Sequence, residues 1–277
     1  MKTSSFVCAL AVLATASTTS SRADMVGYYI GVDARRTIPS GTYAGLDDPN
    51  FNRLTLLYNH GSHYHGKGAL VYTGPNLGAG TEVIVSPSNY LPEGSAAPFE
   101  LKPGSEVFDG LFVSGRTPDV AGSDVRIGSV DALSGFAAGT EEETLFNSSA
   151  GRWTTSLAAA DLVIELAGAT AGLSILDASG NALFGGGSTL ALGLGAASLD
   201  FSPIFAAAGP GDYSASFRIR DVRVGGFGDS GVFEYRFHAA VPEPGSLVMS
   251  AIGGLAISAL ALRNRLRTRR RLDDATD

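Results

Sequence analysis

Short runs of alternating hydrophobic and polar residues dominate the middle of the chain, from residue 24 to residue 241. A period of two residues is typical of strands that bury one face, and the Gly-, Pro-, Asn-, Asp- and Ser-rich clusters between the runs are typical of turns. We therefore predict an all-β fold with an antiparallel, sandwich-like body in one domain, although two β units would also fit the length. The predicted strands lie in MVGYYIGV, RLTLLYNH, ALVYTG, EVIVSP, EVFDGLFVSG, DVRIGSV, DLVIELAG, GLSILDA, TLALGLG, YSASFRIRDVRV and GVFEYRFHAAV.

The clearest element is a hairpin over residues 217–241, in which two alternating segments flank a Gly-rich turn. This turn contains GFGDSG, residues 226–231, which matches the G-x-G-x-x-G pattern of phosphate-binding loops. A strand follows it, however, where a phosphate loop needs the N-terminus of a helix. GDSG also resembles the nucleophile motif of chymotrypsin-like proteases, but no base histidine with a partner aspartate is recognisable. We interpret the segment as a tight turn without a catalytic role for Ser230.

One segment of the body lacks strand character, namely TEEETLFNSSAGRWTTSL, residues 140–157. Its three consecutive acids, Glu141 to Glu143, predict an exposed loop that carries a solvated run of charge. Trp153 is the only tryptophan of the chain. We expect it in the core, with its indole N–H bonded to a local partner.

The first 23 residues have the layout of a secretory signal peptide. Lys2 precedes a short apolar run, FVCALAVLA, and the small residues Ser21 and Ala23 stand three positions and one position before a cut at Asp24. The apolar run is too short to span a bilayer. We expect export through the Sec translocon and removal of residues 1–23 by signal peptidase.

The C-terminus combines a Pro-Glu-Pro turn at residues 242–244, an apolar segment from Gly245 to Leu262 and a cluster of arginines. A helix over this apolar segment is about 27 Å long, close to the thickness of the hydrocarbon core. We predict a single transmembrane helix, with the arginines and a short tail, residues 272–277, on the cytoplasmic side. The cluster consists of Arg263, Arg265, Arg267, Arg269, Arg270 and Arg271.

In this order and at the end of the chain, residues 242–271 resemble the PEP-CTERM sorting signal of Gram-negative bacteria. The resemblance implies that a membrane protease of the exosortase type recognises Pro242, Glu243 and Pro244. It also implies an inner-membrane-anchored precursor, removal of the tail, and delivery to the cell surface or the extracellular matrix.

The composition of the body excludes several kinds of partner and site. Residues 24–241 keep 12 of the chain's 20 basic residues and 23 of its 27 acidic residues, which gives a formal charge of −11. We exclude nucleic acid as a partner because this charge repels its phosphates. The only cysteine, Cys8, lies in the predicted signal peptide. The mature body is therefore expected to contain no disulfide, thiolate metal site or cysteine nucleophile.

Three of the four histidines, His60, His63 and His65, occur within six positions of the body. On an extended segment His63 and His65 project from the same face, and the Gly-Ser pair before them can make the bend that brings His60 around. Three convergent imidazoles suit zinc, and imidazole also suits copper. In the absence of cysteine, a carboxylate, a fourth histidine or water would complete the site. The open choices for a protein ligand are His238, Asp33, Asp47 and Asp48.

Two other interpretations of the histidines compete with a metal-binding site. They can belong to a solvated surface turn without any ligand. They can also belong to a cupin-type enzyme, because the first cupin motif runs through His-x-His on a strand. Cupins have a glutamate shortly after the second histidine, whereas here no acid follows His65 until Glu82. We therefore predict that the protein is not an enzyme.

Four segments of the body, spread over residues 28–241, resemble the Zur-repressed PEP-CTERM family of bacteria: YYIGVDARRTIPSGTYAGLDDPNFNRLTLLYNH, HYHGKGALVYTGP, LFNSSAGRWTTSL and GDYSASFRIRDV. Repression by the zinc-uptake repressor implies production during zinc shortage, and the three clustered histidines lie in the matching histidine-rich segment. The resemblance favours a surface protein that binds zinc, or a similar transition metal, when zinc is limiting. A structural protein of the extracellular matrix, without metal, is the alternative function.

Overall fold

The computed structural model describes residues 26–75, 80–115 and 125–240. The predicted signal peptide, the Pro-Glu-Pro motif, the apolar C-terminal segment and the arginine cluster lie outside the described residues. Within the described ranges, no helix combines the length and the apolar character that a membrane crossing requires.

Strands account for most of the regular structure, which confirms the prediction of a mainly β fold. The helical parts of the described chain are short: α1 (Glu141–Phe146), α2 (Ser148–Gly151) and 3₁₀ turns at Glu106–Phe108 and Val130–Leu133. The strands are β1 (Tyr28–Val32), β2 (Leu54–Asn59), β3 (Tyr64–Lys67), β4 (Leu70–Thr73), β5 (Glu82–Val85), β6 (Tyr90–Leu91), β7 (Phe99–Pro103), β8 (Phe112–Val113), β9 (Ile127–Ser129), β10 (Asp161–Ala169), β11 (Leu173–Leu176), β12 (Thr189–Leu194), β13 (Asp200–Phe201), β14 (Ile204–Ala207), β15 (Gly211–Asp221) and β16 (Phe233–Ala239).

Two large sheets and one small ribbon contain these strands. The first sheet has the order β13-β9-β1-β2-β3, and the second has the order β11-β14-β8-β7-β16-β15-β10-β12, with β6 beside β16. β4 and β5 form a separate two-stranded ribbon. Most neighbouring strands are antiparallel, as predicted, but β1 with β9, β16 with β6 and β16 with β7 pair in parallel.

Aromatic side chains join the two large sheets in a shared hydrophobic core. All residues of β1 are buried, and Tyr28 on this strand meets Tyr235 of β16 edge-on, with ring centroids 5.4 Å apart. Phe205 and Phe237 continue the cluster at a centroid distance of 4.4 Å. Removal of this apolar surface from water is the main contribution that stabilises the fold. β2 pairs with β1, and the edge strand β3 pairs with β2, so both are held on this packed core.

β15 and β16 form an antiparallel pair, as predicted, but the register differs from the predicted hairpin over residues 217–241. The paired residues run from Gly211 and Ala239 to Phe217 and Phe233, so the first strand shares only Phe217 with the predicted segment. The GDSG segment lies in the irregular connection between these two strands, as predicted. Ser230 is buried. Its Oγ accepts the Ile219 N–H at 2.9 Å and donates to the Gly231 carbonyl at 2.8 Å. The hydroxyl thus stabilises the connection.

The segment predicted as an exposed loop is instead the start of a helix. Thr140 caps α1, because its Oγ1 accepts the N–H of Glu143 at 3.2 Å. Glu142 is buried rather than solvated. A threonine followed by a glutamate three positions later is a capping-box sequence, which favours a helix start over a loop.

Trp153 is buried in the core, as predicted, with only 3% of its surface exposed. The expected partner of its indole N–H is not found, since Nε1 has no hydrogen-bond partner among the described residues. Before this residue, Ser149 and Ala150 have φ angles of 56°, in the left-handed region that interrupts a helix. These two residues therefore interrupt α2 from within, and Arg152, which follows α2, is half-buried.

Candidate metal centre

The turn between β2 and β3 positions the clustered histidines. Asn59 and Tyr64 form the last pair of the two strands, and the His60 N–H donates to the His63 carbonyl at 2.9 Å. Gly61 has a φ of 83°, a left-handed conformation that glycine adopts without strain. The Gly-Ser pair therefore makes the bend that the sequence predicts.

All three imidazoles converge above this turn. The ring centroid of His60 lies 4.1 Å from that of His65 and 5.5 Å from that of His63, and the His63 and His65 centroids are 5.0 Å apart. Tyr58 packs edge-on against His60 at 4.4 Å. The rings are part-exposed or exposed, so solvent ions have access to them.

Glu93 is the acidic member of this histidine cluster, and the sequence did not single it out. It follows β6, which pairs with β16 in the other large sheet, and it reaches His65 across 28 positions of sequence. Glu93 Oε2 lies 2.6 Å from His65 Nδ1 and 3.4 Å from His60 Nε2. His60, His65 and Glu93 each offer a ligand atom, and these three atoms lie within 4.8 Å of one another.

His63 lies beside this triad and is not part of it. Its Nε2 is 3.1 Å from Nε2 of His65, and its Nδ1 is 3.4 Å from the Ser62 hydroxyl. The structure thus brings together all three predicted histidines, but it combines His60 and His65 with a carboxylate rather than with the third imidazole.

Lys67 holds the other oxygen of Glu93. On β3 the side chains of His65 and Lys67 project from the same face because they are two positions apart. The Lys67 Nζ lies 2.8 Å from Glu93 Oε1 and donates to the Ser88 carbonyl at 2.7 Å. Its side chain is 5% exposed. Oε1 is therefore occupied by a buried cation, and Oε2 is the oxygen that faces the imidazoles.

Partial burial of Glu93 acts to raise its pKa, since burial disfavours the charged form. Hydrogen bonds from Lys67 and from His65, together with their charges, outweigh burial and lower the pKa of this carboxyl below its usual range. Glu93 is consequently a carboxylate at neutral pH, which is the form that binds a cation.

The separations between the candidate ligand atoms can be compared with those of a tetrahedral zinc site. Zinc–nitrogen bonds of about 2.0–2.1 Å place two ligand atoms about 3.3 Å apart. The distance of 3.4 Å between His60 Nε2 and Glu93 Oε2 is of this size. The 2.6 Å between His65 Nδ1 and Glu93 Oε2 is that of a hydrogen bond, so an ion there would replace a proton and widen this contact by about 0.7 Å.

The residues left open as a further ligand are engaged elsewhere or lie outside the triad. His238 Nδ1 is 2.6 Å from Asp212 on the neighbouring strand. Asp33 pairs with Arg152 and Asp48 with Arg35, and Asp47 is exposed beside β4. Glu93 stands in a Pro-Glu-Gly turn, whose composition indicates a surface loop and nothing more specific.

Comparison with known proteins yields no match. Neither a protein-family model, nor a curated protein, nor a solved structure is significantly similar to this chain. The candidate function therefore depends on the sequence patterns and on the geometry of the histidine cluster.

Proposed function

We propose that the protein is an exported surface protein that binds zinc, or a similar transition metal, through His60, His65 and Glu93. The observation that carries this proposal is the convergence of two imidazoles and one ionised carboxylate, drawn from two sheets, within 4.8 Å. Nitrogen and oxygen ligands of this kind suit zinc and copper. The proposal includes no enzymatic step.

The contacts around Glu93 define how it would bind the ion. Oε1 is held by Lys67 at 2.8 Å, so Glu93 would bind through Oε2 alone. His63 is exposed, and its Nε2 already lies 3.1 Å from His65. This contact is to Nε2 of His65, whereas Nδ1 of His65 faces Glu93. Water would therefore fill the fourth position of the ion.

The chain ends supply the cellular context of the proposal. The signal-peptide layout of residues 1–23 supports export through the Sec translocon, and the Pro242-Glu243-Pro244 motif supports processing by an exosortase-type protease at the inner membrane. The resemblance to the Zur-repressed PEP-CTERM family supports production when zinc is scarce. The acidic body, with a formal charge of −11, attracts cations toward a site outside the cell.

Calorimetric titration of the full chain with zinc at pH 7.5 tests the proposal. The chain is purified in a polyoxyethylene detergent, which keeps the apolar C-terminal segment soluble. We expect a dissociation constant tighter than about 100 μM. Replacement of His60, His63 and His65 by alanine together should weaken binding at least about 100-fold. His238→Ala is the matched control, because it removes an imidazole from another sheet.

Single variants rank the contributions of the three histidines. His60→Ala and His65→Ala should each weaken zinc binding more than His63→Ala does, because only the first two belong to the triad. Binding weaker than about 100 μM, or equal binding by the triple variant, would contradict the proposal.

A structural role in the extracellular matrix is the second candidate, and the ribbon of β4 and β5 favours it. Val83, Ile84 and Val85 on β5 are 46%, 38% and 45% exposed. An exposed apolar strand of this kind is suited to contact with another surface. Deletion of the gene in zinc-replete cells distinguishes the two functions, since a matrix defect that added zinc leaves unchanged favours the structural role.

A further inference from the structure

The outer edge of β4 is covered, whereas the outer edge of β5 is open. Asn50 bonds both the N–H and the carbonyl of Leu70 on β4, at 2.7 and 2.9 Å, and the Tyr43 hydroxyl donates to the Gly74 carbonyl at 2.7 Å. These side chains take the place of a neighbouring strand. On β5 all four residues are exposed, and nothing in the described part of the chain covers its edge in this way.

The pairing of β5 with β4 determines which backbone groups of β5 point outward. The Ser86 N–H donates to the Ala69 carbonyl at 2.9 Å. In an antiparallel pair, successive residues alternate between facing the partner strand and facing away from it. Val83 and Val85 therefore direct their N–H and C=O groups away from β4, and no other described residue bonds these groups. The edge is thus a short template for one further strand.

The side chains of this edge lack the features that usually protect an open strand. Val83, Ile84 and Val85 are 46%, 38% and 45% exposed, and no charge, proline or bulge interrupts them. Charged residues, prolines and bulges are the common means of preventing contact between edges. Pro87 follows the strand, and because proline has no N–H, pairing along the edge ends before it.

The sequence of β5 is complementary to itself. In an antiparallel pair with a twofold axis at Ile84, Val83 lies opposite Val85 of the second copy. Each of these pairs exchanges both of its N–H···O=C bonds, because both residues face outward. Glu82 then lies opposite Ser86, so no like charges meet. A shift by one residue would set outward-facing groups opposite inward-facing ones and lose the bonds.

We propose that β5 pairs with β5 of a second copy of this chain, antiparallel and with Ile84 on the twofold axis. The same segment then serves both partners, as a twofold contact requires. The pairing is short, so the association is weak in solution, and a high local concentration at a surface strengthens it. The contact involves no residue of the histidine cluster, so zinc binding and self-association succeed or fail separately.

Cysteine cross-linking tests the register. Cys8→Ser removes the only cysteine of the chain, and Ile84→Cys adds one thiol to that background. The two Cα atoms at Ile84 would be about 4.5 Å apart, a distance that a disulfide spans. Val83→Cys is the matched control, because the two copies of Val83 lie diagonally across the axis, about 8 Å apart, which is too far.

Both cysteine variants are oxidised mildly as full chains in polyoxyethylene detergent, with EDTA present to prevent dimers bridged by metal. Ile84→Cys should form a covalent dimer at least about tenfold faster than Val83→Cys. Random collision predicts the opposite order, since Val83 is more exposed than Ile84.

Sedimentation equilibrium in density-matched detergent measures the association without a covalent bond. The unmodified chain should form dimers reversibly below about 200 μM. Ile84→Lys sets two ammonium groups opposite each other on the axis and should weaken the dimer about fivefold or more. Leu194→Lys is the control, because it makes the same change at a residue of the edge strand β12 that is 62% exposed. It should leave the association unchanged.

Three results would overturn the proposal. The first is an unmodified chain that remains monomeric up to about 200 μM, which would leave the edge of β5 to a different partner. The second is cross-linking of Val83→Cys at least as fast as that of Ile84→Cys, which would exclude the register. The third is self-association that Ile84→Lys leaves unchanged or that Leu194→Lys weakens equally, which would place the contact elsewhere.

Discussion

Glu93 and Asp221 are two carboxylates that each collect several hydrogen-bond donors, and they differ in the nature of those donors. Asp221 accepts backbone N–H groups of Asp161, Arg223 and Phe227 at 3.1–3.2 Å, and the guanidinium of Arg223 at 2.6 Å. Its side chain is fully buried. Glu93 faces side-chain groups, those of His60, His65 and Lys67, and is 24% exposed.

This difference separates a structural carboxylate from one that can take a ligand. Backbone donors cannot leave Asp221 without a change in the path of the chain, so Asp221 fastens the start of β10 to the connection after β15. Imidazoles can rotate or lose a proton while the backbone stays in place. The number of hydrogen bonds alone does not distinguish the two carboxylates, whereas the type of donor does.

The largest expected effect comes from the change Glu93→Gln. Glutamine keeps the shape of the side chain but removes its charge, so zinc affinity should fall about 100-fold. The free energy of unfolding should fall by about 1 kcal/mol, because the buried Lys67 ammonium keeps an amide oxygen as acceptor but loses its charged partner. Calorimetric titration and urea unfolding measure the two quantities. Glu100→Gln, at an exposed position of β7, is the control, and unchanged zinc affinity in Glu93→Gln would remove Glu93 from the site.

The opposite result is expected for Asp221→Asn. An uncharged amide weakens the bonds from Arg223 and from the three backbone donors, so the free energy of unfolding should fall by about 2 kcal/mol. Zinc affinity should stay within about twofold, since the two sites share no partners. Asp212→Asn is the control, because its side chain is 83% exposed. A loss of zinc affinity in Asp221→Asn would contradict the assignment of Asp221 as a purely structural carboxylate.

Strand alternation predicted the parts of the fold that depend on local sequence. β15 alternates between buried and less buried positions from Ser214 onward, and β16 does so along its length, so both strands were predicted from the pattern. Their register was not, because β16 pairs with Gly211–Phe217 rather than with the residues after Phe217. β14, Ile204–Ala207, is buried at every position and shows no alternation, and β7 ends in Pro103. β14 was missed because a uniformly buried strand lacks the period of two. β7 lies between β8 and β16 and does alternate, but a proline in so short a segment argues against a central strand.

The helix α1 shows a signal that was present in the sequence and interpreted wrongly. Three consecutive acids suggested solvation, but Thr140 and Glu143 have the spacing of a capping box, and acids in the first turn of a helix are stabilised by its dipole. Local capping chemistry therefore carried more information than the charge run.

The candidate site could be predicted only in part, for a different reason. His60, His63 and His65 lie on one hairpin, so their convergence follows from local geometry. Glu93 reaches them because β6 pairs with β16 in another sheet, and this pairing is a tertiary contact without a local pattern. A carboxylate partner was expected, but its identity depends on long-range packing.

The pH dependence of the free energy of unfolding tests the difference between Asp221 and Glu93 most directly. The Arg223 guanidinium, helped by three backbone N–H groups, outweighs burial and holds the pKa of Asp221 well below its usual range. A carboxyl with a lowered folded-state pKa contributes stability that is fully present above the unfolded pKa of about 4 and is lost as the pH falls through the folded pKa.

The difference in unfolding free energy between the unmodified chain and Asp221→Asn should therefore be constant from pH 7 to pH 5. It should narrow by about 2 kcal/mol toward pH 2, because each pH unit below the unfolded pKa removes about 1.4 kcal/mol. Urea unfolding at each pH measures this difference, with Glu93→Gln in parallel, whose smaller gap should narrow less. A gap for Asp221→Asn that stays constant down to pH 2, or an equal narrowing for Glu93→Gln, would show that the two carboxylates do not differ as proposed.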